Sequence, residues 1–343
     1  MLAFHDRRSF LASLSSASAA GVIAGLALEK LGLAPGQSFA QDGPPETTTI
    51  RFNKGALICN APQYIADELL RAEGFTDIQH VEISPQGGPL EAMRRGELDF
   101  TMAYSPQIVV AIDSGVPVTA VAGVHVGCNA VFAHEGIRGI RDLKGTKVGQ
   151  GVLAQRSLLA AIAAYVGLDP AKDIEWVSSP LSSAKELFIE GKIDAFVALP
   201  PDPQELRARK IGHVILDSAL DRPWSQLFCC ILTGNREFVR SHPVATKRAL
   251  RAILKTADFC ASDPAGAAQR LVEGGFTQNY DYARQSLAET LYNKWREYDP
   301  QDSIRFYSLR LREAGMIKSI PTKIIADGTD WRFLNELKRE LKA

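Results

Sequence analysis

The side chains best suited to bind a small molecule stand at four points where a loop is expected to run into a helix. Helix N-termini present unpaired N–H groups and the positive end of the helix dipole, so several of them together favour a small anion. Arg156 could hold such an anion through two N–H groups, or it could be a solvated arginine at a helix start. The candidate ligand-binding residues at these junctions are Cys59, Asn60, Gln63, Gln86, Gly87, Gly88, Tyr104, Ser105, Gln155, Arg156 and Ser157.

Some of these residues have simpler explanations. Asn60 equally suits the N-cap of a helix that begins at Pro62, and the glycines at 87–88 equally suit a turn. The string 149–154 matches the G-x-G-x-x-G/A pattern of dinucleotide sites. The acidic residue that follows it, Asp169, comes after a turn rather than at a strand end. We therefore predict no nucleotide and no other cofactor.

The composition excludes several classes of protein. The chain has 343 residues, 39 basic and 39 acidic side chains, 46% apolar residues and five cysteines. Zero net charge argues against nucleic-acid binding, which requires a basic excess. The mean hydropathy of −0.06 argues against a polytopic membrane protein. Five cysteines are too few for a disulfide scaffold, and the length allows two or three domains of ordinary size.

The first forty residues are typical of an export signal. Arg7 and Arg8 precede a weakly apolar stretch, and the small residues Ser38 and Ala40 stand at positions −3 and −1 of a cleavage site after Ala40. The arginine pair is similar to a twin-arginine signal, which exports proteins already folded. The alternatives are an amphipathic helix of the mature fold and a retained anchor. Glu29 and Lys30 interrupt the apolar run before it reaches the roughly 20 residues of a membrane span.

The remaining chain alternates strands and helices in two blocks, at about 48–131 and 134–228, and is almost wholly helical from Ser241 onward. This alternation predicts α/β domains with parallel sheets. In such sheets ligands lie at the carboxyl ends of strands, where loops meet helix N-termini. The four junctions above are therefore expected to lie close together.

Three strings carry a family resemblance. Those beginning at Glu91 and Glu186 are similar to the L-x-x-G-x-I/L-D element of periplasmic solute-binding proteins, and that beginning at Ile140 to their I-x-x-L-K-G-K-x-V element. Together they resemble the nitrate, taurine and aliphatic-sulfonate binding proteins of ABC importers, a family related to the fungal thiamine-pyrimidine synthases.

The resemblance implies a type II periplasmic-binding-protein clamshell of two α/β domains, with the helical C-terminal tail packed on domain I. Domain I would comprise residues 46–131 and 230–343, and domain II residues 132–229. A ligand would be captured by domain closure in the periplasm. An ABC permease in the inner membrane, with its cytoplasmic ATPase, would then receive the ligand from a monomeric binding protein. No nucleic acid is expected as a partner.

The resemblance also extends the candidate site. Leu199 and Pro200 fall where relatives carry a Trp-Asp-Pro-like segment, and they would form one wall of the cleft. Relatives often have Gly-Ser-Ser-x-His near residue 154, and this chain does not. The identity of the ligand therefore stays open. We expect a small anion such as a sulfonate, nitrate or carboxylate. The competing ligand is a neutral or cationic heterocycle, such as a thiamine precursor, stacked on Tyr64 or Tyr104.

No metal site or catalytic residue is predicted. The six histidines are dispersed, no pair has metal-ligand spacing, and no Cys/His cluster is evident. His125, near the first crossover between domains, could reach a ligand or be a buried structural histidine. Cys128 and Cys229 would approach one another if both crossover strands pair. Whether they or Cys230 are oxidised stays open.

Two other functions remain possible on this sequence. A synthase-like enzyme would need a histidine in the cleft and an intracellular cofactor, and the export signal and dispersed histidines oppose it. A sensor that reports ligand occupancy to a receptor cannot be separated from an import protein. We therefore expect a binding protein rather than an enzyme.

Overall fold

The computed structural model describes residues 43–84, 87–178 and 184–341, so the predicted export signal and Gln86 lie outside the described residues. The strands are β1 (Thr49–Asn53), β2 (Asp77–Val81), β3 (Phe100–Tyr104), β4 (Val118–Val126), β5 (Ala130–Ala133), β6 (Lys147–Gly149), β7 (Glu175–Val177), β8 (Ala195–Ala198), β9 (His213–Asp217) and β10 (Phe228–Asn235). The α-helices are α1 (Ala61–Tyr64), α2 (Asp67–Ala72), α3 (Gly88–Arg94), α4 (Ser105–Asp113), α5 (Leu153–Tyr165), α6 (Ala184–Ile189), α7 (Asp202–Arg209), α8 (Arg236–Ser241), α9 (Pro243–Ser262), α10 (Pro264–Glu273), α11 (Tyr280–Glu289), α12 (Pro300–Glu313), α13 (Pro321–Gly328) and α14 (Arg332–Glu340).

Two five-stranded sheets organise these elements. The first has the order β2-β1-β3-β10-β4 and the second the order β7-β6-β8-β5-β9. β10 runs antiparallel to β3 and β4, and β5 runs antiparallel to β8 and β9, whereas the other pairs are parallel. The expectation of wholly parallel sheets is therefore wrong. The chain reaches β5 directly from the first sheet and reaches β10 directly from the second. Neither strand is preceded by a helix that carries the chain back along its own sheet, which is the connection that makes neighbouring strands parallel.

The chain crosses between the sheets twice, at 127–129 and at 218–227. Ser218 holds the two crossovers together. Its hydroxyl oxygen accepts the N–H groups of Cys128 and Asn129 at 3.1 and 2.9 Å, and the hydroxyl donates to the Asn129 carbonyl at 2.8 Å. Any movement of one sheet against the other would bend this paired segment. The domain boundaries expected from the sequence stay a prediction.

A glycine allows the crossovers to touch. Gly127 has φ +56°, and a Cβ added there would lie 2.4 Å from the Ala219 Cα. We expect Gly127→Ala to lower the free energy of unfolding by about 2–4 kcal/mol, through backbone strain and overlap with main-chain atoms. Gly139→Ala is the control, because a Cβ there meets nothing within 4 Å. Chemical denaturation measures both; equal stability of the two variants would contradict this packing.

The C-terminal helices cover the first sheet, as the resemblance implies. α9 and α14 both contact β4. Aspartates cap two of the helices: Asp263 accepts the N–H of Gly266 at 2.8 Å, and Asp299 accepts that of Gln301 at 2.9 Å. In each case proline follows the cap, where its fixed φ suits a first helical turn.

Local departures from the sequence expectation are small. The periodicity of residues 63–73 predicts one helix, but the structure has two, because Ile65 and Ala66 interrupt it. The pattern of residues 80–83 predicts the second strand, which in the structure begins earlier, at Asp77. β5 was not expected as a strand. In the described part of the chain, no helix is long and apolar enough to cross a bilayer.

Candidate functional site

A cavity of about 720 Å³ opens beside the crossovers, with the second sheet and α7 on one side and α11 on the other. The second sheet's side contributes α7, the first sheet's side contributes α11, and both crossovers contribute side chains. The described residues that line it are Cys128, Asn129, Ala130, Pro200, Pro203, Gln204, Arg207, Val214, Asp217, Ala219, Leu220, Asp221, Ser286, Ala288, Glu289 and Thr290. Its size suits a small organic molecule.

Carboxylates dominate the charge of this cavity. The Arg207 guanidinium donates to Glu289 at 2.7 Å, and the Gln204 amide donates to the same carboxylate at 2.7 Å. Asp217 and Asp221 have no such cationic partner among the lining residues. Burial raises the pKa of Asp217, although a hydrogen bond from the Ala219 N–H and the positive charge of Arg207 oppose the rise, and the negative charges of Asp221 and Glu289 add to it. The lining therefore carries three carboxylates against one guanidinium.

Several predicted site residues use their polar atoms to hold the main chain. The Gln63 amide donates to the Asn53 carbonyl at 2.8 Å and accepts the Met102 N–H at 2.7 Å. Ser105 donates to the Phe228 carbonyl at 2.6 Å. These side chains position the loops and strand ends beside the crossovers.

The same holds on the second sheet's side. Gln155 donates to the Val197 carbonyl at 2.7 Å and accepts the Val152 N–H at 3.0 Å, which fixes the start of α5. Ser157 is fully buried and donates to the Ala154 carbonyl at 3.1 Å.

Arg156 lies away from the cavity lining. Its guanidinium carbon is 4.7 Å from the centre of the Trp176 ring, and Nη1 donates to Gln150 Oε1 at 3.1 Å. Stacking and a neutral hydrogen bond thus account for its position. A role for Arg156 in anion binding stays a prediction.

The remaining predicted site residues lie in different places, and only one of them lines the cavity. Pro200 lines the cavity, and Leu199 beside it is buried. Tyr104 lines a much smaller pocket of about 10 Å³ with Asn129, Cys229 and Trp224. Gly87 and Gly88, at the start of α3, have φ +88° and +67° and provide the turn that glycine permits. Cys59 and Asn60 lie in a buried 3₁₀ turn (Ile58–Asn60).

Cys59 belongs to a group that the sequence did not reveal. Cys59, Cys128, Cys229 and Cys230 surround His125, and we call these five residues the cysteine cluster. The Sγ atoms of Cys128 and Cys229 are 3.0 Å apart, and both cysteines are free thiols. The expectation that no Cys/His cluster exists is wrong, because the ligands come from four separate places in the chain. The predicted approach of Cys128 and Cys229 was the one available signal.

The cluster thiols have unequal acidities. A hydrogen bond from Cys128, and another from Cys230, hold the pKa of Cys59 well below its ordinary value. Burial raises the pKa of Cys128 and of Cys230. Burial would also raise the pKa of Cys229, but its interactions with the neighbouring Cys128 and Cys230 outweigh burial and lower that pKa.

Two mixed sheets, joined by two paired crossovers beside an open cavity, define the two-domain fold of periplasmic binding proteins. The nitrate-binding protein NrtA of Synechocystis PCC 6803 has this fold, with a TM-score of 0.70, 14% identity, and coverage of 88% of this chain and 90% of that one. The periplasmic sulfonate-binding protein SsuA of Methylobacillus flagellatus KT gives a TM-score of 0.63, 17% identity, and coverage of 86% of this chain and 94% of that one.

The chain belongs to the NMT1/THI5 like family, whose model matches residues 68–267. A curated relative is the 4-amino-5-hydroxymethyl-2-methylpyrimidine phosphate synthase THI13 of Saccharomyces cerevisiae. It is 24% identical over 263 residues, which cover 69% of this chain and 77% of the relative. The resemblance and the fold class inferred from the sequence are confirmed.

Proposed function

We propose that this protein is the extracytoplasmic solute-binding component of an ABC importer and takes its solute in the cavity beside the crossovers. One observation carries the proposal: side chains from both halves and from both crossovers line the same cavity. A molecule bound there contacts both halves of the fold, each of which is one sheet with its helices. Its binding therefore favours the closed arrangement of the two halves. A permease with its ATPase would recognise that arrangement.

The charge of the cavity indicates the class of solute. Three carboxylates and one guanidinium line it, and Glu289 already neutralises the guanidinium of Arg207. Such a lining favours a neutral or cationic molecule that carries N–H donors. This departs from the small anion expected from the helix N-termini and Arg156. It agrees with the competing heterocycle, although Tyr64 and Tyr104 do not line the cavity.

The name of the yeast relative includes an aminopyrimidine, which supports a neutral or cationic solute with N–H donors. An amino-substituted pyrimidine has N–H donors that Asp217 and Asp221 can accept. A synthase-like reaction on such a compound is the second candidate function, and the 24% identity to synthases is the observation that favours it. Turnover of the bound pyrimidine, followed by mass spectrometry, separates it from simple binding.

Two observations support a periplasmic location. The described fold is that of periplasmic binding proteins, and the twin-arginine-like signal precedes it in the sequence. We propose export to the periplasm in folded form. Replacing Arg7 and Arg8 together by lysine should leave unprocessed precursor in the cytoplasm, and full export of that variant would contradict the route.

The solute class is tested by calorimetry with named compounds. We expect 4-amino-5-hydroxymethyl-2-methylpyrimidine to bind more tightly than nitrate or ethanesulfonate. Asp217→Asn should weaken that binding roughly 10- to 100-fold, which corresponds to a hydrogen bond to a charged group. Binding should also weaken as pH falls through the raised pKa of Asp217, because protonation removes the charge.

Arg156→Ala is the matched control for this test. Since Arg156 is stacked on Trp176 outside the cavity lining, we expect its loss to change affinity by less than roughly threefold. If nitrate or ethanesulfonate binds most tightly and Arg156→Ala abolishes that binding, the anion expectation is correct and the proposed solute class is wrong.

A further inference from the structure

We propose that the cysteine cluster binds one thiophilic metal cation, Zn²⁺ or Cu(I), through His125 and the surrounding thiols. This inference goes beyond the solute-binding function and does not depend on it. Thiolates and imidazole are the ligands that these two cations prefer. The cluster contains four of the chain's five cysteines.

The donor atoms are close enough to share one ion. His125 forms one triad with Cys59 and Cys128 and a second with Cys229 and Cys230. Within each triad the donor atoms lie within 4.8 Å of one another. A common point therefore lies no more than about 2.8 Å from all three (4.8 Å divided by √3). Zinc bonds are about 2.3 Å to sulfur and about 2.0 Å to nitrogen, so shifts of at most about 0.5 Å at a sulfur and about 0.8 Å at the nitrogen complete the site.

His125 supplies independent support. Its side chain is fully buried, and neither Nδ1 nor Nε2 has a hydrogen-bond partner. The ring packs edge-on against Tyr292, with the ring centres 5.2 Å apart. Buried polar groups are almost always paired, and an orphaned imidazole is costly. Coordination of a metal by one ring nitrogen would give that nitrogen a partner and so remove part of that cost.

Neighbouring groups are placed to orient the sulfur ligands. The Asn129 amide donates to Cys229 Sγ at 3.1 Å, and the Tyr104 hydroxyl oxygen lies 3.7 Å from Cys59 Sγ. Such outer partners are typical of metal sites. Two thiolates with neutral His125 balance the charge of Zn²⁺, and one thiolate with His125 balances that of Cu(I). Each thiol that binds releases its proton to solvent.

The cluster also has an entry path. Cys128 is partly exposed and lines the 720 Å³ cavity, whereas the other four members are buried. Export in folded form would let the thiols meet the metal in the reducing cytoplasm, before oxidation can join them. A bound ion would hold the first crossover, through Cys128, against β4 and β10.

The test is an anaerobic titration of fully reduced protein with Zn²⁺ and, separately, with Cu(I), each in competition with a chromophoric chelator. We expect one equivalent of at least one cation to bind, and the melting temperature to rise with it. His125→Asn and Cys128→Ser should each weaken metal binding at least roughly 100-fold. Loss of a residue that only hydrogen-bonds to a metal ligand already costs up to about 100-fold, and loss of a ligand itself should cost at least as much.

Cys260→Ser is the matched control, because Cys260 is a fully buried free thiol on α9 outside the cluster. It should bind the cation as the unmodified chain does. Because Cys128 is partly exposed, Cys128→Ser is the variant that best preserves the fold, and circular dichroism checks this. Co²⁺ substitution should add a thiolate-to-cobalt absorption that Cys128→Ser weakens and Cys260→Ser keeps.

Two results would overturn the site. One is a reduced protein with five titratable thiols that binds neither cation. The other is a Cys128→Ser or His125→Asn variant that binds as tightly as Cys260→Ser. If the isolated protein shows three thiols, Cys128 and Cys229 have been oxidised to a disulfide, and the same titration after reduction decides between the outcomes.

Discussion

Ala288→Trp is expected to weaken solute binding at least roughly 100-fold while leaving the fold intact. Ala288 lies on α11, is exposed, and lines the cavity. An indole there would occupy the space of the solute and leave its N–H groups without acceptors, a loss of about 3 kcal/mol or more. Because the side chain enters open volume, the core needs no repacking. Calorimetry with 4-amino-5-hydroxymethyl-2-methylpyrimidine, or with any solute that copurifies, measures the effect.

The control for this variant is Ala326→Trp. Ala326 is an exposed alanine on α13, which packs against α4, α12 and β4 rather than on the cavity. It should bind solute with unchanged affinity. Equal affinities of the two tryptophan variants would show that the solute does not occupy the cavity beside the crossovers.

The second large effect concerns stability. Arg251 on α9 donates from Nη1 to Glu73 Oε2 at 2.8 Å, and its Nη2 contacts Glu340 Oε2 at 3.1 Å. Glu73 is 1% exposed and Arg251 is 6% exposed. Arg251→Met leaves a buried carboxylate without its main cation. We expect the free energy of unfolding to fall by about 3–5 kcal/mol at neutral pH.

The pH dependence of this loss gives a second readout. Burial raises the pKa of Glu73 above its ordinary 4.5, and Arg251 opposes that rise. Without Arg251 the pKa should rise further. When folding raises the pKa of a carboxyl group, the folded protein becomes more stable as pH falls through that pKa. The stability deficit of Arg251→Met should therefore shrink at mildly acidic pH.

Chemical denaturation at neutral and mildly acidic pH measures both effects. Arg339→Met, at an exposed position on α14, is the control and should change stability by less than about 0.5 kcal/mol. A deficit for Arg251→Met that is equally small, or that grows as pH falls, would contradict the role of the buried pair.

Much of the fold could be predicted from the sequence, because its strongest patterns are local. The apolar run 118–126 and the run near 226–232 both became strands of the first sheet. β5 (Ala130–Ala133) was missed because it is short and buried throughout, without the alternation of a half-exposed strand. β2 was misplaced by three residues at its start, since an exposed edge strand carries a weak pattern.

The site was harder to predict than the fold, because long-range pairing creates it. The side chains expected to bind ligand at the helix starts include Gln63 and Gln155, whose amides hold the main chain instead. The cavity is lined by α7 and α11, which stand 78 residues apart by their first positions, 202 and 280. The cysteine cluster likewise needs β4 and β10 to pair. No spacing rule within one stretch of sequence reveals such a group.

The most direct test of the central claim is mass spectrometry of small molecules released on denaturation, after the protein has been equilibrated with a cell extract. The unmodified chain and Ala288→Trp are compared side by side. We predict about one equivalent of a neutral or cationic molecule with N–H donors from the unmodified chain, and none of it from Ala288→Trp. Equal recovery from both proteins, or enrichment of nothing, would contradict solute binding in this cavity, and enrichment of an anion would contradict the proposed solute class.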